Sequence, residues 1–491
     1  MQSFPISFSM QAMLFVCIAC FVSACNTPTT PPQPEHPNIV FILADDMGYG
    51  DPAVYNADSK IPTPYMDQIA NEGIRFTDAH SPSGVCTPTR YGLLTGRYSW
   101  RTRLKKGVTR GYSANLIDTT RTTLATLLKK EGYHTAVIGK WHLGLGSEEP
   151  LDYSGTLSPG PRAHEFDYYF GIPASLDMIP YVYVENEQVV ELPTDSVGPS
   201  GYEYGGPYWR PGPIAPSFKH IDVLPDITEK AVTYIDERAS DADTPPFFLY
   251  FPLPAPHTPW LPTDEFIGTS SAGEYGDFTV QVDHTVGQVL EALERNGFTD
   301  NTLIIVASDN GSFWIQEDID RYDHLSNLNL RGIKADIHEG GHRVPLIARW
   351  PGTIPAGSVN DDIVSLTDFL ATFADILDID LADNEGEDSY SLFPIMQDAS
   401  NSSFGRDHAI HHSSEGMFAI RKGDWKLIEG RGSGGFTAPR FIDPAPGEPA
   451  GQLYNLRADL QETQNLYLEN PEVVEELTAL LNQYRDEGRS R

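Results

Sequence analysis

Cysteine is scarce in this chain. Its 491 residues include only Cys17, Cys20, Cys25 and Cys86, three of them within the first 25 positions. A disulfide framework of the kind that staples small secreted domains is therefore excluded as the source of stability. Basic residues are scarce too: 34 Lys and Arg stand against 68 Asp and Glu, a formal net charge of -34. A surface of that sign repels nucleic acid and anionic membranes, so neither is expected as a partner. It also repels a polyanionic substrate at long range, an effect that salt weakens because the Debye length falls to about 3 Å near 1 M. No apolar run reaches the roughly 20 residues of a comfortable membrane span. No internal repeat or heptad pattern is present. What the chain does have is 40% apolar residues. That is enough for one large core plus an appendage and excludes wholesale disorder.

The run at 12–24 (AMLFVCIACFVSA) reads as the hydrophobic region of a secretion signal. It ends Val22-Ser23-Ala24-Cys25, which resembles the bacterial lipoprotein cleavage site, where the Cys becomes the lipidated first residue of the mature protein. No Lys or Arg precedes the run, and a soluble secreted protein is the alternative. Residues 26–37 are a Pro/Thr-rich tether that cannot pack a core. The expectation is thus a signal at 1–25, of lipoprotein type, and a periplasmic or cell-surface location. Export would leave Cys86 as the one free thiol, beside an acylated Cys25.

Beyond the tether, short runs rich in β-branched and aromatic residues predict buried strands at 38–43, 134–139, 247–253, 302–308 and 344–350. Helices are predicted at 64–72, which opens on Pro64, at 123–131, at 226–238 and at about 275–296, closing at Gly297. Continuous-apolar strands alternating with amphipathic helices imply an α/β fold, a mostly parallel central sheet flanked by helices, over residues 38–400. The Gly-, Pro- and Tyr-rich region 145–225 reads as long surface loops suited to substrate recognition. Residues 401–491 read as a smaller C-terminal α+β domain. Its strands are predicted at 408–412, 417–421 and 424–429, and a final helix is capped by Asn470, with Val473, Leu477, Leu480, Leu481 and Tyr484 on one stripe.

Chemistry-bearing residues cluster after the strands. Asp45-Asp46 follow the first strand and Asp309-Asn310-Gly311 follow 302–308. Those are carboxyl ends, where open α/β sheets place ligands. Three carboxylates and an amide oxygen suit a hard cation rather than zinc, although acidic residues after strands also cap helices. Cys86-Thr87-Pro88-Thr89-Arg90 continues into Leu93-Leu94-Thr95-Gly96-Arg97. Gly139-Lys140-Trp141-His142-Leu143-Gly144 and Pro256-His257-Thr258-Pro259 stand at strand ends, and Arg331-Gly332-Ile333-Lys334 leads to Glu339-Gly340-Gly341-His342-Arg343. Together these segments resemble the motifs of the type I sulfatase family, C-x-P-x-R with its L-T-G-R extension, G-K-W-H-L-G and R-G-x-K…E-G-G-x-R. The likeness is to the arylsulfatase A and N-acetylgalactosamine-6-sulfatase-like branch.

The resemblance implies an alkaline-phosphatase-like fold and an exported sulfuric ester hydrolase acting on sulfated carbohydrates. It implies that Cys86 is oxidised to formylglycine (3-oxoalanine) by a formylglycine-generating enzyme. The hydrated aldehyde carries two hydroxyls on one carbon: one attacks sulfur and the other lets the adduct collapse and release sulfate. One Ca²⁺ is implied, held by Asp45, Asp46, Asp309, Asn310 and the residue-86 oxygen. Lys140 and Lys334 would contact sulfate, His142 the formylglycine hydroxyl, and His257 the sulfate and the leaving alcohol. Arg90 would orient the residue-86 loop, with Arg343 and the Glu339-Gly340-Gly341 turn structural. Asp177, Tyr322, Asp323 and His324 are further candidates to touch a sugar ring. Two other readings fit the residues: a phosphonate or phosphate ester hydrolase of the same superfamily, and a non-catalytic glycan-binding lipoprotein.

Overall fold

The computed structural model describes residues 1–5, 36–239, 245–401 and 404–491. Residues 6–25 of the expected secretion signal and nearly all of the tether, including Cys17, Cys20 and Cys25, lie outside the described residues.

The strand Asn38–Asp45 is buried at every position. It reads as an unbroken apolar run because the sheet is covered on both faces. It pairs in parallel with Phe247–Pro256 on one side and Thr302–Ser308 on the other. Phe247–Pro256 pairs in parallel with His134–Lys140, and that strand with Tyr168–Ile172. These five lie within a ten-stranded sheet. Helices Pro64–Glu72, Val223–Arg238 and Gly273–Arg295 pack against one another and the sheet. A second group, Cys86–Thr95, Leu124–Lys130 and Phe369–Ile376, also packs together, with Phe369 edge-on to Phe41 at 4.8 Å. Leu124–Lys130 begins with a reciprocal cap: Thr126 N–H donates to the Thr123 hydroxyl at 3.2 Å, and Thr123 N–H to the Thr126 hydroxyl at 2.7 Å.

Three predictions need correction. The strand near 344–350 is Leu346–Arg349 and runs antiparallel to Thr302–Ser308. Residues 309–345 stay at the sheet edge where Thr302–Ser308 ended, so the chain must run back rather than cross over. Within 145–225, Tyr168–Ile172 is a fifth parallel strand and Asp195–Val197 pairs with Gly212–Ile214. The remainder of that region is mainly irregular. Asn470 stands at the start of helix Pro471–Asp486, but its side-chain amide donates to the Leu466 carbonyl at 3.3 Å and does not cap the helix.

The C-terminal antiparallel sheet has four strands, His408–His412, Phe418–Lys422, Trp425–Ile428 and Gln452–Asn455, in that order. The last was not anticipated. Ile410, Ile420, Leu427, Leu453, Leu477 and Leu481 form its core with Tyr98 and Trp100 of the larger sheet's side, and Val473, Leu480 and Tyr484 pack around it.

Candidate active site

Four adjacent parallel strands bring their last residues, or those just beyond, to one sheet edge: Asp45-Asp46, Lys140, His257 and Asp309-Asn310. This is the carboxyl edge, where the backbone leaves the sheet and side chains converge. Neighbouring residues of an extended strand point to opposite faces, so Asp45 and Asp46 could not share a pocket without a backbone turn. Asp46 supplies it with φ 63. His142, two residues beyond Lys140, likewise leaves the strand in a left-handed turn, with φ 55. Left-handed backbone in non-glycine residues is uncommon and gathers at functional sites.

Cys86 is buried at the start of the ten-residue helix Cys86–Thr95. The helix is buried throughout, and Gly96 ends it in a left-handed cap at φ 61, its N–H donating to the Gly92 carbonyl at 2.8 Å. The L-T-G-R extension is thus architectural: Leu93 and Leu94 enter the core and Arg97 pairs with Glu387 at 3.1 Å. Arg90 projects from this helix with no exposure. Its Nε and Nη2 donate to Asp309 Oδ2 at 3.1 and 2.7 Å, and its Nη1 donates to the Lys140 carbonyl at 2.9 Å. One guanidinium therefore ties the residue-86 helix to two strand ends.

Ligand atoms of Asp45, Asp46, Cys86 and His257 all lie within 4.8 Å of one another. Lys140 Nζ donates to Asp45 Oδ2 at 2.5 Å and Lys334 Nζ to Asp46 Oδ2 at 2.6 Å. Asn310 Nδ2 donates to Asp46 Oδ1 at 2.7 Å, and Asp46 N–H donates to Asp309 Oδ1 at 3.2 Å. Two buried oxygens, Asp45 Oδ1 and Asn310 Oδ1, have no hydrogen-bond partner among the described residues. Buried polar atoms without partners are uncommon and ask for an explanation. Unused oxygen lone pairs beside three carboxylates fit a hard divalent cation.

Burial alone would push the Asp45 carboxyl up, but Lys140, then His257, Arg90 and Lys334, hold it well below the usual range. Asp309 is pushed up to about 7 by burial and by the Asp45 charge, against Arg90 and Lys140. Burial raises the Cys86 thiol, so it is not a thiolate nucleophile in this setting. His142 and His257 are both lowered, first by burial and then by neighbouring lysines. His142 Nε2 faces the Thr109 carbonyl at 2.8 Å while its buried Nδ1 has no partner. His257 Nδ1 lies 2.5 Å from the Thr258 carbonyl and so carries the proton there, leaving Nε2 for the pocket, 3.7 Å from Asp46 Oδ2.

Sequence reasoning missed Tyr204 and Thr109. The Tyr204 hydroxyl accepts from Lys334 Nζ at 2.9 Å and lies 3.3 Å from His257 Nε2. Both residues sit in irregular segments without periodic pattern, and only the abundance of Tyr in 145–225 hinted at the first. Asp177 is buried, ion-paired to Arg210 through Oδ2, with Oδ1 unpartnered. Tyr322, Asp323 and His324 have structural partners instead: His324 Nε2 contacts Asp51 Oδ1 at 2.8 Å, and Asp323 ends the helix Gln316–Tyr322.

Arg343 and Glu339 belong to a second buried network. Arg343 pairs with Glu339 at 3.0 Å and Asp78 at 2.7 Å, and Lys426 pairs with Glu339 at 3.0 Å and Glu462 at 2.9 Å. Gly340 and Gly341 do not make left-handed turns. A Cβ on either would lie 2.2 or 2.3 Å from the carbonyl oxygens of Gly332 or Asp336, so close backbone approach is what requires glycine there.

A family model described as Sulfatase matches residues 37–379, and one described as N-sulphoglucosamine sulphohydrolase, C-terminal, matches residues 334–487. Among characterised proteins, the N-acetylgalactosamine-6-O-sulfatase of Bacteroides thetaiotaomicron is 34% identical over 91% of this chain and 93% of its own length. Arylsulfatase A of Homo sapiens is 32% identical over 88% of this chain and 83% of its own. A solved Bacteroides thetaiotaomicron structure, described with the metabolism of multiple glycosaminoglycans, superimposes with a TM-score of 0.82. It is 33% identical and covers 92% of this chain and 100% of its own. With its motifs gathered at one sheet edge in that fold, the chain belongs to the type I sulfatase family, in the arylsulfatase A and N-acetylgalactosamine-6-sulfatase-like branch, and is a sulfuric ester hydrolase.

Proposed function

We propose that this sulfatase is exported and removes sulfate from sulfated glycans of glycosaminoglycan type, using formylglycine made from Cys86 and one calcium ion. The observation that carries the proposal is the oxygen-rich cluster around Cys86 with its two unpartnered oxygens, Asp45 Oδ1 and Asn310 Oδ1. Asp45, Asp46, Asp309 and Asn310 would hold the ion. It would supply Lewis acidity and a lowered hydroxyl pKa at residue 86, whose hydrated aldehyde supplies the nucleophile and the route of release.

Charge supports this reading. With Asp309 ionised on a bound cation, the three carboxylates Asp45, Asp46 and Asp309 would balance Arg90, Lys140 and Lys334, so a divalent cation would leave the pocket positive inside an acidic protein. That surplus suits an anionic ester, whose own charge repels nucleophiles in water. Lys140 and Lys334 stand on the metal-site carboxylates, and each ammonium would also contact a sulfate oxygen. Arg90 keeps Asp309 and the residue-86 helix in register. His257 would exchange protons through Nε2 alone, because the Thr258 carbonyl holds its Nδ1 proton and Nε2 faces the pocket beside the Tyr204 hydroxyl and Asp46, and it would there serve the leaving alcohol. The sugar assignment is supported by the relative that acts on N-acetylgalactosamine 6-sulfate. Export, with Cys25 lipidated, is supported by the apolar run 12–24 and its Val22-Ser23-Ala24-Cys25 ending.

The test is release of sulfate from defined sulfated oligosaccharides, with phosphate release from matching phosphate and phosphonate esters alongside. Sulfate is expected, and Cys86→Ser is expected to fold normally and lose turnover. Full multiple-turnover activity in Cys86→Ser, or phosphate release exceeding sulfate release, would overturn the proposal.

A further inference from the structure

The segment 101–110 (RTRLKKGVTR) carries five basic residues and no acidic one, in a chain with twice as many acids as bases. Arg101 serves the fold, since its Nε and Nη2 donate to Asp388 at 2.8 and 2.7 Å with 3% side-chain exposure. The other four, Arg103, Lys105, Lys106 and Arg110, are exposed. Arg103 Nη2 donates to the Ala114 and Asn115 carbonyls at 2.7 and 2.9 Å, and Lys105 Nζ to the Trp100 carbonyl at 2.6 Å. These acceptors are neutral, so they orient the side chains without cancelling their charge. Lys106 meets Glu415 at 3.6 Å, with the two side chains 68% and 39% exposed, which is a weak pair. Among the described residues the Arg110 guanidinium has neither an ion-pair nor a hydrogen-bond partner.

The segment ends at the wall of the catalytic pocket. Thr109 is buried, its carbonyl is the one His142 Nε2 contacts, and its hydroxyl lies 3.2 Å from that of Thr87, the residue after Cys86. At Arg110 a cavity of about 420 Å³ opens, lined also by Tyr112, Ile179, Arg210, which is ion-paired to Asp177, and Glu149, whose Oε1 accepts from the Ser113 hydroxyl at 3.2 Å, so Arg110 is the lining cation without a carboxylate partner among the described residues. That volume falls in the range of roughly 300–1,000 Å³ usual for small-molecule sites.

We infer that residues 103–110, with the cavity at Arg110, form an anion-binding strip for a second sulfate or carboxylate on the same glycan chain whose reacting sulfate sits at Cys86. The inference rests on the sulfatase reading and narrows it to multiply charged substrates. A surface with a net charge of -34 repels such a chain, so productive approach needs a local reversal of sign beside the pocket. Four exposed cations, three without a carboxylate partner among the described residues, provide that reversal in the segment that ends at the pocket wall. Complementary charge of this sort acts through encounter and affinity rather than through the chemical step.

The test is a chain carrying Arg103→Gln, Lys105→Gln, Lys106→Gln and Arg110→Gln, with Arg110→Gln alone as a milder companion. Two probes are used: a hexasaccharide of alternating uronate and 6-sulfated N-acetylgalactosamine, and the monosaccharide N-acetylgalactosamine 6-sulfate. The fourfold variant should raise KM for the hexasaccharide about ten-fold at low salt and flatten its salt dependence, with kcat unchanged. Its KM for the monosaccharide should stay within about two-fold of the parent, since surface charges without a partner contribute little. Equal changes on both probes, or none on the hexasaccharide, would overturn the inference. Binding of the hexasaccharide to Cys86→Ser chains, with and without the four substitutions, reads the strip without turnover. Unaltered affinity there overturns the strip, whereas no sulfate release by the parent from either probe overturns the substrate reading itself.

Discussion

Replacing Lys426 with Met would remove the charge at the centre of the network joining the C-terminal sheet to the catalytic core, while keeping most of the side-chain volume. The Lys426 ammonium lies 3.0 Å from Glu339 Oε1, 2.9 Å from Glu462 Oε1 and 2.9 Å from His342 Nε2, and neither it nor either carboxylate is exposed. Glu339 would keep Arg343, at 3.0 Å. Glu462 would keep only the Glu339 backbone N–H, at 2.7 Å, and lose its cation. Breaking a buried pair in this way costs about 3–5 kcal/mol. The cost should depend on pH. Burial pushes the Glu462 carboxyl up to about 6 even with Lys426 opposing it, and without Lys426 it rises further. An acid whose folded pKa lies above its unfolded value contributes stability below the unfolded pKa and loses it as pH rises through the folded one. Lys426→Met should therefore be penalised more at pH 8 than at pH 5. Urea denaturation at both values measures this, and adding Glu462→Gln to the variant should recover much of the loss at pH 8. A penalty under about 1 kcal/mol at pH 8, or one equal at the two pH values, would refute the reasoning.

Other consequences can be tested separately. Arg90→Lys replaces a fork with a point charge that cannot serve both Asp309 and the Lys140 carbonyl, so turnover should fall by about a hundred-fold or more. Turnover within three-fold of the parent would sink that role, taking ~10²-fold as the usual cost of a misplaced group. Chelation should abolish sulfate release and lower the melting temperature, and calcium at about 100 Kd should restore about 2.7 kcal/mol of stability. An unchanged melting curve on chelation would count against the cation. Asp283 accepts from the Tyr65 and Met66 N–H groups at 3.2 and 2.8 Å, and burial pushes its carboxyl up to about 7. Its folded pKa is raised, so stability present below about pH 4 is lost as pH rises through about 7, up to about 4 kcal/mol. Asp283→Asn should flatten that slope in urea denaturation, and a slope identical to the parent's would show that the group does not titrate in this way.

Much of the catalytic centre was legible because its signals are local. Asp45-Asp46, Lys140, His257 and Asp309 each stand at the end of a buried strand with an apolar stretch, and parallel strands necessarily deliver such residues to one edge. The helices were legible where a proline opened or a glycine closed an amphipathic stretch, as at Pro64 and Gly297. Strand direction was not. Leu346–Arg349 looks like any buried strand, and only the path of residues 309–345 makes it antiparallel.

Residues 101–110 show the division most clearly. The amino-acid order by itself determined that a basic run interrupts an acidic chain, and that carboxylates, a cysteine, lysines and histidines stand at strand ends. Tertiary structure alone decided that this run ends against His142 through Thr109, that Tyr204 bridges Lys334 and His257, and that Lys426 meets Glu339 and Glu462. The physical reason is range. Periodicity, caps and turn residues act over a few positions of backbone. Contacts such as Lys426 with Glu339 join residues 87 positions apart, and burial and Coulomb energy select them only once the chain has closed upon itself.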